Sequence, residues 1–141
     1  MGYTIKQVAE KLALTTYTIR YYEKEGLLPF VDRDENGNRV FSETDIEWAM
    51  LICCLRDTGM SVSEIKRYVD LCMEGDKTIE VRRQILLEHK HIVEQKIAQM
   101  NKYLAKIDKK LEYYDNVMTG KAIDRCNPKA KECGTRVING V

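Results

Sequence analysis

Hydrophobic positions recur along the C-terminal half of the chain with a strict 3.5-residue repeat. The repeat runs from Leu86 to Met118 in alternating steps of four and three residues, and nine of its ten positions are apolar. A repeat sustained over four heptads is typical of a coiled-coil seam and is narrower than the apolar face of a packed surface helix. The seam residues on which a dimer would depend are Val93, Ile97, Met100, Leu104, Ile107 and Leu111.

The same region predicts a single long helix. No proline or glycine interrupts Lys77–Thr119, and Gly120 provides a stop. A helix of about 40 residues is roughly 60 Å long, and the sequence predicts no second helix of that length to cover the seam. We therefore expect a second copy of the chain to cover it, giving a two-fold homodimer. The alternative is a long helix that folds back on its own domain.

The first 75 residues predict four shorter helices. Four apolar residues at helical spacing follow the capping box Thr4-x-x-Gln7. A second helix, capped by Thr15 or Thr16, ends at about Glu25. Two short helices joined by a tight turn form a helix-turn-helix arrangement.

The third and fourth helices follow the same rules. The third begins after Ser42 and is apolar nearly all round over Trp48–Leu55, so we expect it to be buried on more than one side. The fourth is capped by Ser61 or Ser63, and Gly75 ends it.

The outward face of the second helix carries side chains that a core does not need. Short hydroxyls let a helix approach phosphates and base edges, arginine donates bidentately, and a tyrosine hydroxyl can bind phosphate. An ordinary solvated face is the alternative. The candidate DNA-binding residues of this face are Thr16, Tyr17, Thr18, Arg20, Tyr21 and Lys24.

A β-hairpin is predicted next to this helix. Val31–Glu35 and Asn38–Phe41 suit two short strands, and the Asn-Gly pair between them favours a two-residue turn. Arg33 and Arg39 lie on opposite arms, where they could contact phosphates as a wing. The alternative is a surface hairpin with solvated charges.

Residues 20–28 spell Arg-Tyr-Tyr-Glu-Lys-Glu-Gly-Leu-Leu, preceded at 8–15 by Val-Ala-Glu-Lys-Leu-Ala-Leu-Thr. These strings resemble the N-terminal signature of the MerR family of bacterial transcription regulators. Asn38-Arg39-x-Phe41 with the following Asp45-Ile46 resembles the wing and third helix of the family. The resemblance covers residues 3 to about 118.

The resemblance implies an all-α fold with a small β-hairpin wing. It implies a winged helix-turn-helix domain (1–75) and a long helix (76–119) that dimerises as an antiparallel coiled coil. The composition of residues 120–141, with glycine, proline and asparagine, predicts a flexible C-terminal tail. The resemblance also implies binding to a palindromic promoter site, which the dimer bends and untwists so that RNA polymerase can use it. The residues implied in DNA contact are Thr16, Tyr17, Thr18, Arg20, Tyr21, Arg33 and Arg39.

Two positions depart from the family pattern. Ala13 stands in the turn where many members carry glycine, and we expect its φ to be negative because alanine then fits without strain. Phe41 stands where many members carry tyrosine, so a phosphate contact from that hydroxyl is absent.

Cysteine is the candidate sensing residue. The stretch Ile52–Gly59 resembles the third helix of the aldehyde- and electrophile-responsive branch of the family, in which a single reactive cysteine occupies the position of Cys54. A thiolate is the nucleophile in such a sensor. The alternative is that Cys53, Cys54 and Cys72 are small core hydrophobes, which would leave a regulator without a thiol switch.

A metal sensor is the second chemical option. Cys126 and Cys133 bracket six residues after the long helix, and two thiolates suffice for a soft two-coordinate metal. A tetrahedral zinc site would lack ligands unless the second subunit or His89 and His91 contributed. We expect no cofactor, and two free thiols on the tail are the alternative to a metal site.

The amino-acid composition of the chain limits the classes of function that the protein could have. Five cysteines and an N-terminus without an apolar signal segment indicate a reducing, cytoplasmic protein with no membrane partner. The net charge is +1, so DNA binding must depend on where charges lie. An enzyme is not expected, since the chain has no glycine-rich phosphate loop and no Ser/His/Asp arrangement. A coiled-coil adaptor would leave the Arg-Tyr-Tyr face and the hairpin unexplained.

Overall fold

The computed structural model describes residues 2–129 as helices linked by short turns and one small antiparallel sheet. This architecture confirms the predicted all-α fold with a β-hairpin. The five α-helices are α1 (Ile5–Leu12), α2 (Thr16–Lys24), α3 (Glu43–Asp57), α4 (Val62–Glu74) and α5 (Ile79–Met118), and the strands are β1 (Asp32–Arg33) and β2 (Arg39–Val40).

Side-chain caps set the helix starts. The predicted box of Thr4 and Gln7 is present at α1. Of the alternatives left open by the sequence, Thr15 caps α2 by accepting from the backbone N–H of Thr18 at 3.1 Å, and Ser61 caps α4. Each cap satisfies a backbone donor that the first turn of a helix leaves without an intrahelical partner.

The turn between α1 and α2 contradicts the expectation for Ala13. Its φ is 55° and its ψ 42°, which is left-handed backbone. The backbone N–H of Leu14 donates to the Ala9 carbonyl at 2.9 Å, and that of Ala13 to Glu10 at 3.3 Å. This is a Schellman ending, which requires a left-handed residue after the helix. Alanine therefore carries the strain that glycine would avoid.

The two predicted strands of the wing do pair, but they are shorter than expected, and both the register and the turn differ from the two-residue hairpin that the sequence predicts. Arg33 pairs with Arg39, and the Asp34 N–H donates to the Asn38 carbonyl at 2.8 Å, leaving a three-residue loop. A two-residue type I′ turn needs positive φ at both central residues, and here only Gly37 has one, at 80°. Asp34 explains the difference, because its Oδ1 accepts two loop N–H groups and favours the longer turn.

One hydrophobic core joins α1 to α4. Helix α4 packs one face against this core, with Ile65 and Val69 fully buried. Helix α3 departs from the expectation of burial nearly all round, because Met50 is 56% exposed and Cys54 is also exposed. These two residues are four apart and share one open face of α3.

The connection into α5 is a single 3-10 turn, Asp76–Thr78, so α5 begins two residues later than predicted. The buried Thr78 hydroxyl donates to the carbonyls of Leu71 (2.6 Å) and Gly75 (2.8 Å), which tightens this first turn. Arg82 in turn donates to Thr78 Oγ1 at 3.0 Å.

The chain divides into two compact units, Met1–His91 and Ile92–Val141. In the second unit, the seam residues Ile97, Met100, Leu104, Ile107 and Leu111 are 53–65% exposed, and Val93 is half-buried. The domain limits at 75 and 119 stay predictions. Within residues 2–129, no helix is both long and apolar enough to cross a bilayer.

Candidate nucleic-acid interface

Helix α2 is anchored by one face and open on the other. Ile19 and Tyr22 are buried at 1% and 7% exposure, so both support the helix from beneath. Burial also raises the pKa of Tyr22. On the open face Tyr17 is 77% and Tyr21 40% exposed. The amphipathic sequence therefore points the candidate DNA-binding face away from the core.

The other candidates on α2 lie on the same open side. Arg20 and Lys24 are exposed, whereas Thr16 and Thr18 are half-buried. Arg20 Nη1 donates to Thr16 Oγ1 at 3.2 Å, one turn earlier. A hydroxyl is a weak partner for a guanidinium compared with a carboxylate, so a phosphate could replace it.

A groove brings α2 and the wing together. It encloses about 340 Å³ and is lined by Arg20, Arg33 and Arg39 together with the N-terminal segment Gly2–Ile5. Arginine side chains are suited to phosphate oxygens, and three line this groove, although the Asp34 carboxylate lines it as well. Sequence periodicity placed these residues on separate elements, and the fold brings them to one site.

The two wing arginines have different surroundings. The Arg39 side chain is only 19% exposed and donates through Nε to the Glu23 carboxylate on α2. The Arg33 side chain is 49% exposed, with Nη1 donating to the Gly37 carbonyl at 2.7 Å and Nη2 lying 3.6 Å from Glu23. Their DNA contacts stay predictions, but Arg33 is the more accessible of the two.

Sequence reasoning missed Glu23 and Tyr3. The Glu23 carboxylate ties the wing to α2 through its contacts with Arg39 and Arg33. Tyr3 exchanges two backbone hydrogen bonds with Phe41, at 2.8 and 2.9 Å, and so adds the N-terminal segment to the hairpin. The contact of Glu23 with the wing could have been predicted, because this acid lies in the Arg-Tyr-Tyr-Glu string and the wing carries two arginines.

Comparisons with known proteins agree with this geometry. The model of the MerR HTH regulatory protein family matches residues 3–72, and that of the MerR DNA-binding region matches residues 46–110. An uncharacterized HTH-type transcriptional regulator of Haemophilus influenzae is 44% identical over 114 residues, which are 81% of this chain and 84% of that protein. The chain belongs to the MerR family. It is a DNA-binding transcriptional regulator and not an enzyme.

Two further MerR relatives are informative. AdhR of Bacillus subtilis is 43% identical over 86 residues, covering 61% of each chain. The crystal structure of HiNmlR, a MerR family regulator lacking the sensor domain and bound to promoter DNA, matches with a TM-score of 0.79 and 42% identity. That match covers 84% of this chain and 94% of HiNmlR.

The cysteines of this MerR protein differ in exposure. Cys54 is exposed on α3, whereas Cys53 and Cys72 are half-buried. Burial raises the pKa of Cys53, and the neighbouring Asp57 carboxylate adds to the effect. The interpretation of all three as core residues is therefore wrong for Cys54 within the protomer, although its sensing role stays a prediction.

The tail cysteines can be described only in part. Cys126 is exposed, with its Sγ 2.7 Å from the hydroxyl of Tyr114. Cys133 lies outside the described residues. Among residues 2–129, no group of three or more His, Cys, Asp or Glu side chains is arranged to hold a metal ion. The two-cysteine metal site stays an untested hypothesis.

Proposed function

We propose that this MerR protein acts as a homodimer on a palindromic promoter site, distorts that DNA to control its use by RNA polymerase, and responds to electrophile or aldehyde stress through Cys54. The observation that carries the dimer is the α5 seam. Five of its apolar side chains are more than half exposed over four helical turns. A stripe of this length and exposure needs a partner surface, and two-fold pairing supplies an identical one.

The antiparallel sense of this pairing comes from the family resemblance. Because the two copies are related by a two-fold axis, their α2 helices would meet two inverted half-sites at a fixed separation. The crystal structure of HiNmlR supports promoter DNA as the ligand, since that protein matches this chain over 94% of its length. The groove of Arg20 and Arg33 would then hold the DNA backbone while the open face of α2 meets base edges.

Exposure favours Cys54 as the sensing thiol. An electrophile must reach the sulfur, and the thiolate is the form that attacks it. Cys53 is half-buried, and its raised pKa keeps more of it protonated at neutral pH. Cys54 is the next residue, points to the open face of α3 and shares that face with the exposed Met50. An adduct on this face could alter how α3 meets neighbouring surfaces.

The thiol proposal is tested by cysteine-mapped mass spectrometry of the reduced, metal-free protein after brief exposure to a mild aldehyde electrophile. We expect Cys54 to react first. Modified protein should then differ in affinity for a duplex that the protein itself selects from a random library, and Cys54→Ser should abolish the difference. Labelling led by Cys126, with Cys54 silent, would contradict the thiol proposal and direct attention to soft metals.

The DNA proposal is tested on the same selected duplex. Arg20→Ala should weaken binding and reduce its salt dependence by about one phosphate contact. Lys102→Ala on the outer side of α5 removes the same charge far along the chain and is the matched control. Equal effects of the two variants would show that Arg20 does not lie on the DNA.

A further inference from the structure

A chain of hydrogen bonds links the backbone of Cys54 to α5. The Thr58 hydroxyl lies 2.7 Å from the Cys54 carbonyl oxygen and 2.7 Å from His89 Nε2. We propose that this Cys54–Thr58–His89 relay is the positioning device through which the state of the Cys54 thiol reaches α5. The inference rests on the proposed function, because it assumes that Cys54 is the sensing thiol.

The number of protons on each group determines which group donates in each hydrogen bond of the relay. The Thr58 hydroxyl has one proton, which it donates to the carbonyl of Cys54 or, at 3.3 Å, of Leu55. Its oxygen is then an acceptor for His89, which assigns the ring proton to Nε2. The His89 ring therefore donates to Thr58, and Thr58 donates to the last turn of α3. Loss of the Cys54 contact would leave the Leu55 carbonyl, at 3.3 Å, as the acceptor of the Thr58 proton and would shift the hydroxyl relative to His89.

The Cys54 carbonyl is a sensitive point in the helix. It accepts both the Thr58 backbone N–H at 3.0 Å and the Thr58 hydroxyl at 2.7 Å, so it holds the C-terminal end of α3. A side-chain adduct on Cys54 is attached to the same residue. If the adduct tilts this peptide unit, Thr58 must move or change its partner, because its hydrogen bonds constrain the hydroxyl from both sides.

His89 is well placed to receive that change. It is half-buried in the third turn of α5, beyond the Thr78–Arg82 contacts that hold the first turn. Ile85 and Leu86 pack against the core just before it. The helix is thus fixed at its start and contacts α3 again at His89. The seam begins one turn later, at Val93, so a displacement at His89 would enter the helix just before the proposed dimer contact.

The experiment distinguishes the effect of the Thr58 hydroxyl from the effect of the shape of the side chain at position 58. Thr58→Val keeps the branched side chain and removes the hydroxyl, whereas Thr58→Ser keeps the hydroxyl. Full-length wild type and both variants are modified with the same aldehyde electrophile. The rate of Cys54 labelling and the operator affinity of each labelled and unlabelled protein are then measured. A second pair, His89→Leu and His89→Gln, removes or keeps a side-chain donor at the other end.

The relay predicts that labelling of Cys54 stays within about twofold of wild type in all variants. Thr58→Val and His89→Leu should lose the affinity difference between labelled and unlabelled protein, and Thr58→Ser and His89→Gln should keep it. If Thr58→Val keeps the full difference, the relay is wrong while the thiol switch stands. If labelled and unlabelled wild type bind DNA equally, the thiol switch is wrong and the relay falls with it.

Amide hydrogen exchange provides a readout that does not depend on the electrophile. In unlabelled protein, Thr58→Val should speed exchange both in the last turn of α3 and around His89 in α5, with Thr58→Ser close to wild type. A change confined to α3 would show that Thr58 only caps its own helix, which would overturn the relay.

Discussion

Replacing Leu104 with aspartate tests whether the α5 seam is a dimer interface. Leu104 is 53% exposed in the protomer, so about half of its burial remains to be gained on association. Full burial of a leucine side chain contributes about 1.5–3 kcal/mol, so half contributes about 0.75–1.5 kcal/mol. A two-fold interface contains the residue twice, which gives about 1.5–3 kcal/mol. Loss of that term alone raises the dimer dissociation constant at least about 10-fold.

The aspartate adds to this loss because its charge would be desolvated at the interface. The assay is sedimentation equilibrium over a range of concentrations. Ala105→Asp is the matched control, since it changes the net charge equally one residue along, on the exposed outer side of the helix. A Leu104→Asp protein that still sediments as a dimer, or an Ala105→Asp protein that dissociates equally, would refute the seam.

Three further predictions concern the DNA-binding unit. Ala13→Gly should raise the free energy of unfolding in urea by about 0.5–1 kcal/mol, because glycine adopts the left-handed backbone at φ 55° without strain. The control Ala105→Gly should lower the free energy of unfolding by about 1 kcal/mol, because glycine is unfavourable within a helix. Glu23→Gln should release the wing from α2, and amide exchange of the hairpin should accelerate about fivefold, whereas unchanged exchange would mean that strand pairing alone holds it. As pH rises from 7 to 9, iodoacetamide should label Cys54 ahead of Cys53, because the raised pKa of Cys53 delays formation of its thiolate; equal rates would show that Cys53 is not effectively buried.

Local patterns predicted most of the fold because local interactions determine it. The cap at Ser42 with Asp45 and the box at Thr4 each involve residues three apart, and both are present. The 40-residue length of α5 follows from the absence of helix breakers. The four-helix order of the first unit follows from hydrophobic spacing of the same local kind.

The features that the sequence did not predict depend on hydrogen bonds that compete with the backbone preference of a residue. Asn36-Gly37 favours a two-residue turn, but Asp34 binds two loop N–H groups and selects a longer one. Ala13 was expected at negative φ because alanine prefers it, but the Schellman hydrogen bonds of α1 require the opposite sign. In both cases a second interaction of comparable energy outweighs the residue preference.

Several acids of this chain, whose net charge is +1, have partners within the fold. Glu23 binds Arg39, Asp34 accepts the N–H groups of its own turn, and the tyrosine of the N-terminal segment donates to Glu43. These carboxylates are thereby used within the fold. Arg20, by contrast, donates to the Thr16 hydroxyl and lines the groove beside the wing. Counting charges along the chain misses this separation, because the field at a surface depends on which charges are neutralised beneath it.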